Sequence, residues 1–210
     1  MRTYGQYCAV ASALDLIGDR WTLLIVRELL IRQPCRYTDV AQGLPGVATN
    51  LLAERLRQLE GRGILTREAA PPPVATTLFR LTELGEALRP VLIELSRWGL
   101  PLLGPSPGQA VFRTHWLSLP LESALCHDPA AGPVTIEVRA GDEPLVVEAA
   151  DGHVRCRSGA ARDADLTLSG PPAVIVGLFY GAFDLAGARA RGLVVDGDAG
   201  LLDRVRPSRA

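Results

Sequence analysis

The stretch TNLLAERLRQLEGRG at residues 49–63 decides the reading of this chain. Leu52, Leu56 and Leu59 recur at helical spacing and share one face. Gly63 stands where a left-handed cap closes a helix, which predicts a helix over 49–62. Thr49, Asn50, Ala53, Glu54 and Arg57 lie off the stripe, and Arg55 falls at its edge. Asparagine and arginine are the side chains best shaped to read adenine and guanine edges. Upstream, a short helix over 36–41 closes in the turn Gly43-Leu44-Pro45-Gly46. Downstream, strands over 64–68 and 77–81 flank a proline-rich loop at 69–76. Two helices joined by a tight turn and followed by a hairpin form a winged helix-turn-helix. In that arrangement 49–62 is the DNA-reading helix. Arg67 and Arg80 flank the wing loop, where phosphates are met, and Arg36 precedes the first helix of the motif. The expected DNA-binding set is therefore Arg36, Thr49, Asn50, Ala53, Glu54, Arg57, Arg67 and Arg80.

Outward from this motif, 8–17 reads as a helix carrying Val10, Leu14 and Ile17, and 21–31 as one with Leu24, Ile25 and Leu29 inward. Over 82–103, Leu84, Leu88, Val91, Leu95, Trp98 and Leu102 make a seam too long for one small domain to hide. It predicts a homodimer, and Pro90 predicts a kink in the helix. Residues 104–108 combine glycine and proline as a linker, dividing a DNA-binding and dimerisation domain (1–103) from a second domain (109–210). The second domain opens with a helical stretch over 109–127, which Pro120 interrupts. Alternation follows at Val134/Ile136/Val138, Leu145/Val147, Val154/Cys156, Leu166/Leu168 and Leu193/Val195. Helices over 171–180 and 199–205 can cover one face of the resulting sheet. The expected class is α+β, with an antiparallel sheet.

Composition narrows the classes of function. Of 210 residues 48% are apolar, enough for two cores, and the net charge is −1. All Lys/Arg positions are arginine; residues 1–103 hold 12 against 10 acids and 104–210 hold 10 against 13, so placement rather than net charge carries the case for DNA. The polar opening shows no signal peptide, and the longest apolar run, 173–183, is too short to span a bilayer; a cytoplasmic protein with no membrane partner is expected. Cys8, Cys35, Cys126 and Cys156 form no C-x-x-C pair, and His115, His127 and His153 are not spaced as a metal set. No nucleophile elbow or phosphate loop is present, so no catalytic residues, cofactor or metal are expected. Asp196 and Asp198 flank Gly197 at a strand-to-helix turn, which favours a capping role.

Several segments resemble the HxlR-type regulators, a MarR-like winged-helix family: Tyr7-Cys8-Ala9-Val10, the run from Gly18-Asp19-Arg20-Trp21 to Ile25, and Gly43-Leu44-Pro45-Gly46. So do the spacings Leu52-x-x-Arg55-Leu56-x-x-Leu59-Glu60-x-x-Gly63-Ile64 and Arg80-Leu81-Thr82-x-x-Gly85. The resemblance spans about residues 4 to 100 and implies a homodimer on a pseudo-palindromic operator of double-stranded DNA. Ala9 and Ala48 depart from its usual proline and serine, and Thr49 is expected to take over the helix cap. The segment 164–170, the apolar helix after it and 191–198 resemble the sterol-carrier-protein-2-like fold, which implies a site for an apolar small-molecule effector. Phe112, Trp116, Leu178, Phe179, Tyr180 and Phe183 are the candidate wall residues. The expected function is a DNA-binding transcription regulator that senses an apolar molecule. Two alternatives stand beside it: a thiol-based redox or electrophile sensor acting through Cys8, as some HxlR-type proteins do, and an apolar-ligand carrier whose winged helix binds a protein.

Overall fold

The computed structural model describes residues 3–71, 76–103 and 108–207. Of the expected linker only Gly108 lies within them, and the middle of the wing loop lies outside. The chain forms two compact units, Met1–Leu92 and Ile93–Ala210.

In the first unit, α1 (Ala9–Ile17), α2 (Thr22–Arg32), β1 (Cys35–Arg36), α3 (Tyr37–Gln42) and α4 (Thr49–Gly61) precede the hairpin of β2 (Leu65–Ala69) and β3 (Thr77–Leu81). The order β1-β3-β2 makes this a three-stranded antiparallel sheet. Ile25, Val26 and Leu29 of α2, Val40 of α3 and Leu52, Leu56 and Leu59 of α4 are buried together with Ile64, Leu65 and Phe79. Each such side chain contributes about 1.5–3 kcal/mol by leaving water. Gly63, at φ 69°, ends α4: Ile64 N–H donates to Leu59 O at 3.0 Å and Gly63 N–H to Glu60 O at 2.9 Å. Beneath the turn between α3 and α4, the buried Glu28 carboxylate accepts from Arg27 and lies against Gly43, where any β-carbon would overlap it.

Three sequence expectations change here. Ala48, not Thr49, is the N-cap of α4; Thr49 is already helical, and its carbonyl accepts from the Tyr37 hydroxyl at 2.8 Å. Leu24 is 39% exposed rather than inward, because it lies off the face that carries Ile25 and Leu29. The segment 82–103 is not one kinked helix. Thr82 caps the short α5 (Glu83–Glu86), and Pro90 sits in the first turn of a separate α6 (Arg89–Gly99), where its missing N–H costs nothing.

In the second unit a 3₁₀ turn (Thr114–Leu117) leads into α7 (Ser118–Ala124), β4 (Leu125–His127), β5 (Val134–Arg139), β6 (Leu145–Ala150), β7 (His153–Ser158) and β8 (Leu166–Ser169). Then come α8 (Pro172–Phe179), α9 (Leu185–Ala190), β9 (Val194–Gly197), a 3₁₀ segment (Ala199–Arg204) and β10 (Val205–Pro207). β10 pairs with β4, and the main sheet has the order β7-β6-β5-β8-β9. Asp151 and Gly152, both at positive φ, form the two-residue turn joining β6 to β7.

The sheet is mixed rather than purely antiparallel. β8 runs parallel to β5, because the chain crosses from β7 over one sheet face before entering β8. Val134, Ile136 and Val138 of β5 form one core with Val147, Leu166, Leu168, Leu121, Ile175 and Phe179. Thr135 and Glu137 point to the other face, beneath the crossover. Thr135 N–H donates to Asp165 at 2.8 Å, and Ala161 N–H donates to Glu137, only 3% exposed, at 2.7 Å. The expected helix over 109–127 shrinks to the 3₁₀ turn and α7, since 125–127 pairs as a strand. His127 is buried within that strand, its Nδ1 accepting from Gly152 N–H at 3.2 Å.

Candidate nucleic-acid interface

The leucine stripe of α4 turns inward and fixes what faces out. Thr49, Asn50, Glu54 and Arg57 are exposed and Ala53 is half-buried, so these side chains share the outer side of one helix. Asn50 Oδ1 accepts from Leu51 N–H at 2.9 Å, and Glu54 accepts from Gln58 at 2.9 Å. Arg55 differs. It pairs with Asp19 at 2.6 Å with only 17% of its side chain exposed, tying α4 to the segment between α1 and α2. Arg62, the C-cap of α4, ties the helix to α1 in the same way, donating to Leu16 O at 2.6 Å.

Arg36 is exposed at the N-cap of α3, where Asp39 accepts from its backbone N–H at 2.8 Å. On the wing, the register sets Arg67 opposite Phe79 and Arg80 opposite Thr66, so the two arginines lie on opposite faces of the hairpin. Arg67 lies on the face that carries Leu65, Phe79 and Leu81, and reaches Glu60 of α4 through Nε at 2.8 Å. That hydrogen bond holds the Glu60 carboxyl below and the Arg67 guanidinium above their ordinary values. Arg80, on the solvent face, lies 3.3 Å from Glu68 of the neighbouring strand. Glu60, Glu68 and Asp19 were missed as partners in the sequence. The Glu68–Arg80 diagonal was readable only with the hairpin register in hand. Among the described residues, Arg36 and Arg57 alone of the arginines expected at DNA have no ion pair.

A cleft of about 800 Å³ also opens in this unit, lined by Thr3, Tyr4, Leu14, Asp15, Gly18, Asp19, Gln58 and Arg62. Its polar groups largely satisfy one another: Thr3 and the Tyr4 N–H both donate to Asp15, at 2.6 and 3.0 Å.

Residues 16–106 match the model of the HxlR-like helix-turn-helix family, and residues 127–207 match that of the SCP-2 sterol transfer family. The HTH-type transcriptional regulator YvaP of Bacillus subtilis is 35% identical over 95 residues, covering 45% of this chain and 87% of that protein. The HTH-type transcriptional regulator YodB of the same organism is 36% identical over 87 residues, covering 41% and 77%. A solved structure of reduced YodB is similar with a TM-score of 0.41 and 32% identity, over 48% of this chain and 99% of that one. This chain belongs to the HxlR-like helix-turn-helix family. It is a DNA-binding transcription regulator with an SCP2-like second unit.

Within the second unit of this HxlR-like regulator, the residues expected to wall a ligand site are divided. Phe179 is 4% exposed and belongs to the core, with Phe112, Leu178 and Phe183 packed against it. Phe183 lies against Gly177, where a side chain would collide with the edge of its ring, and the Arg191 guanidinium lies over the ring, 4.9 Å from its centroid. The Tyr180 hydroxyl donates to Pro120 O at 3.2 Å, and burial pushes it up. Trp116 meets His115 edge to face at 6.0 Å. Asp198 caps the 3₁₀ segment through Gly200 N–H at 2.9 Å, as its position implied, while Asp196 stays exposed on β9.

The four cysteines differ in access. Cys8, at the N-cap of α1, and Cys126 are exposed. Cys35 is buried, which pushes its thiol up to about 12, and burial likewise raises Cys156 well above its ordinary value. No described helix is long and apolar enough to cross a membrane.

Proposed function

We propose that this regulator binds a pseudo-palindromic operator as a homodimer, and that an apolar small molecule in its SCP2-like unit alters that binding. The observation that carries the DNA half is the outer face of α4, where Asn50 and Arg57 are exposed on a helix whose leucine stripe is fully committed to the core. The dimer is supported by apolar side chains left in water on α6: Val91 at 46%, Leu95 at 44% and Trp98 at 70% exposure. The ligand half rests on the match of 127–207 to the sterol transfer family. Linkage sets the condition: a ligand changes operator affinity only through different affinities for the DNA-bound and free forms, and the coupling is reciprocal.

The experiment is to measure binding of the intact protein to the DNA upstream of its own reading frame and to a scrambled duplex, with and without a fatty acid or a sterol. The proposal expects preference for the upstream DNA and a shift of roughly 5- to 150-fold on ligand addition. Ligand binding with unchanged operator affinity would make the second unit a carrier. Equal binding to both duplexes would remove the operator. A second reading, thiol sensing through Cys8, rests on that side chain's exposure, which Cys126 shares, while Cys35 is buried and Cys156 half-buried. It expects loss of operator binding on diamide treatment and retention in Cys8→Ser.

A further inference from the structure

The wing arginines are not free cations. Arg67 is bound by Glu60, which comes from the reading helix itself, and Arg80 by Glu68, its neighbour across the hairpin. Each pair is exposed, so neither contributes much to stability, and both open at little cost. When a wing arginine meets a phosphate, however, the carboxylate it leaves stays within a few ångströms of the DNA. Its repulsion cancels much of the attraction that the arginine supplies. The sequence-independent part of DNA affinity comes from such phosphate contacts. Arg57 on α4, aimed at base edges, has no carboxylate partner and is exempt.

We infer that Glu60 and Glu68 are specificity determinants: they hold down the wing's contribution to non-specific DNA binding and leave discrimination to the outer face of α4. This rests on the wing contacting DNA as proposed above. Selectivity is a difference between affinities, and lowering the background raises it as surely as a new base contact does.

The test uses the intact protein, a 30-base-pair duplex of scrambled sequence, and a salt titration of Glu60→Gln, Glu68→Gln, Arg67→Ala and Arg80→Ala with the matching double variants. Each glutamine variant is expected to bind the scrambled duplex roughly three- to tenfold more tightly near 0.1 M salt and with a steeper salt slope. Glu60→Gln should lose that gain in the Arg67→Ala background, and Glu68→Gln in the Arg80→Ala background. An equal gain in both backgrounds would reduce the effect to overall charge and overturn the inference. So would no gain at all while the arginine variants weaken binding. If Arg67→Ala and Arg80→Ala leave affinity unchanged, the wing contact itself fails, and the inference with it. Unaltered thermal unfolding of the glutamine variants separates all of these from misfolding.

Discussion

In α4 and the wing, Arg55, Arg67 and Arg80 are each tied to a carboxylate, while Val91, Leu95 and Trp98 of α6 stand in water. The five-stranded sheet of the second unit reverses this. Its apolar side chains on β5, β6 and β8 are closed away, and a charge, that of Glu137, is taken inside with three hydrogen bonds and ion contacts around it. A surface that balances its charges and exposes its apolar groups is built to be completed by other molecules, and DNA and a second copy are the proposed ones. A unit that buries its apolar side chains this fully depends on its own core for stability.

The largest expected effect tests the closed unit. Phe179→Ala should cost about 3–5 kcal/mol in denaturant unfolding, as removal of a core aromatic does. A loss under about 1 kcal/mol would turn Phe179 from core into the wall of an open site and sharpen the case for a ligand. Next, Leu95→Asp should convert the proposed dimer to monomer in sedimentation velocity with little change in unfolding, because that side chain is already 44% exposed. An unchanged mass would move the dimer contact elsewhere.

Glu137 supplies a pH test. The Ala161 N–H, and after it Arg139, hold its carboxyl below the ordinary value of 4.5 despite burial. A depressed folded-state value stabilises the protein above the ordinary value, and that stability drains away as pH falls through the folded one. Glu137→Gln should therefore flatten the acid limb of the second unit's stability below about pH 4.5. A limb of unchanged slope would show that the crossover does not depend on this charge. The smallest effect is expected at Asp19→Asn, under about 1 kcal/mol, since the carboxylate is half in water; a larger loss would make the Arg55 tie a principal support of α4.

What the sequence disclosed and what it withheld follow from range. The stripe Leu52/Leu56/Leu59, the cap at Gly63 and the strand Thr77–Leu81 are local patterns, and the structure bears them out. β1, β4 and β10 are two or three residues long, too short for alternation to register, and exist only because a distant strand pairs with them. The parallel pairing of β8 with β5 is equally non-local. Arginines on the hairpin read as phosphate ligands from their position beside a loop. Their carboxylate partners, one on α4 and one across the strand, emerge only from the fold. Pro90 predicted a kink within one helix; the chain instead breaks ahead of it, between α5 and α6, because a break between two helices and a kink within one look alike in sequence.

The central claim, that the outer face of α4 reads an operator, is tested most directly by Arg57→Ala on the operator and on a scrambled duplex at the same salt. The account predicts a loss of about 1–3 kcal/mol on the operator, concentrated at one base pair, and little change on scrambled DNA. Equal losses on both duplexes, or none on either, would contradict it.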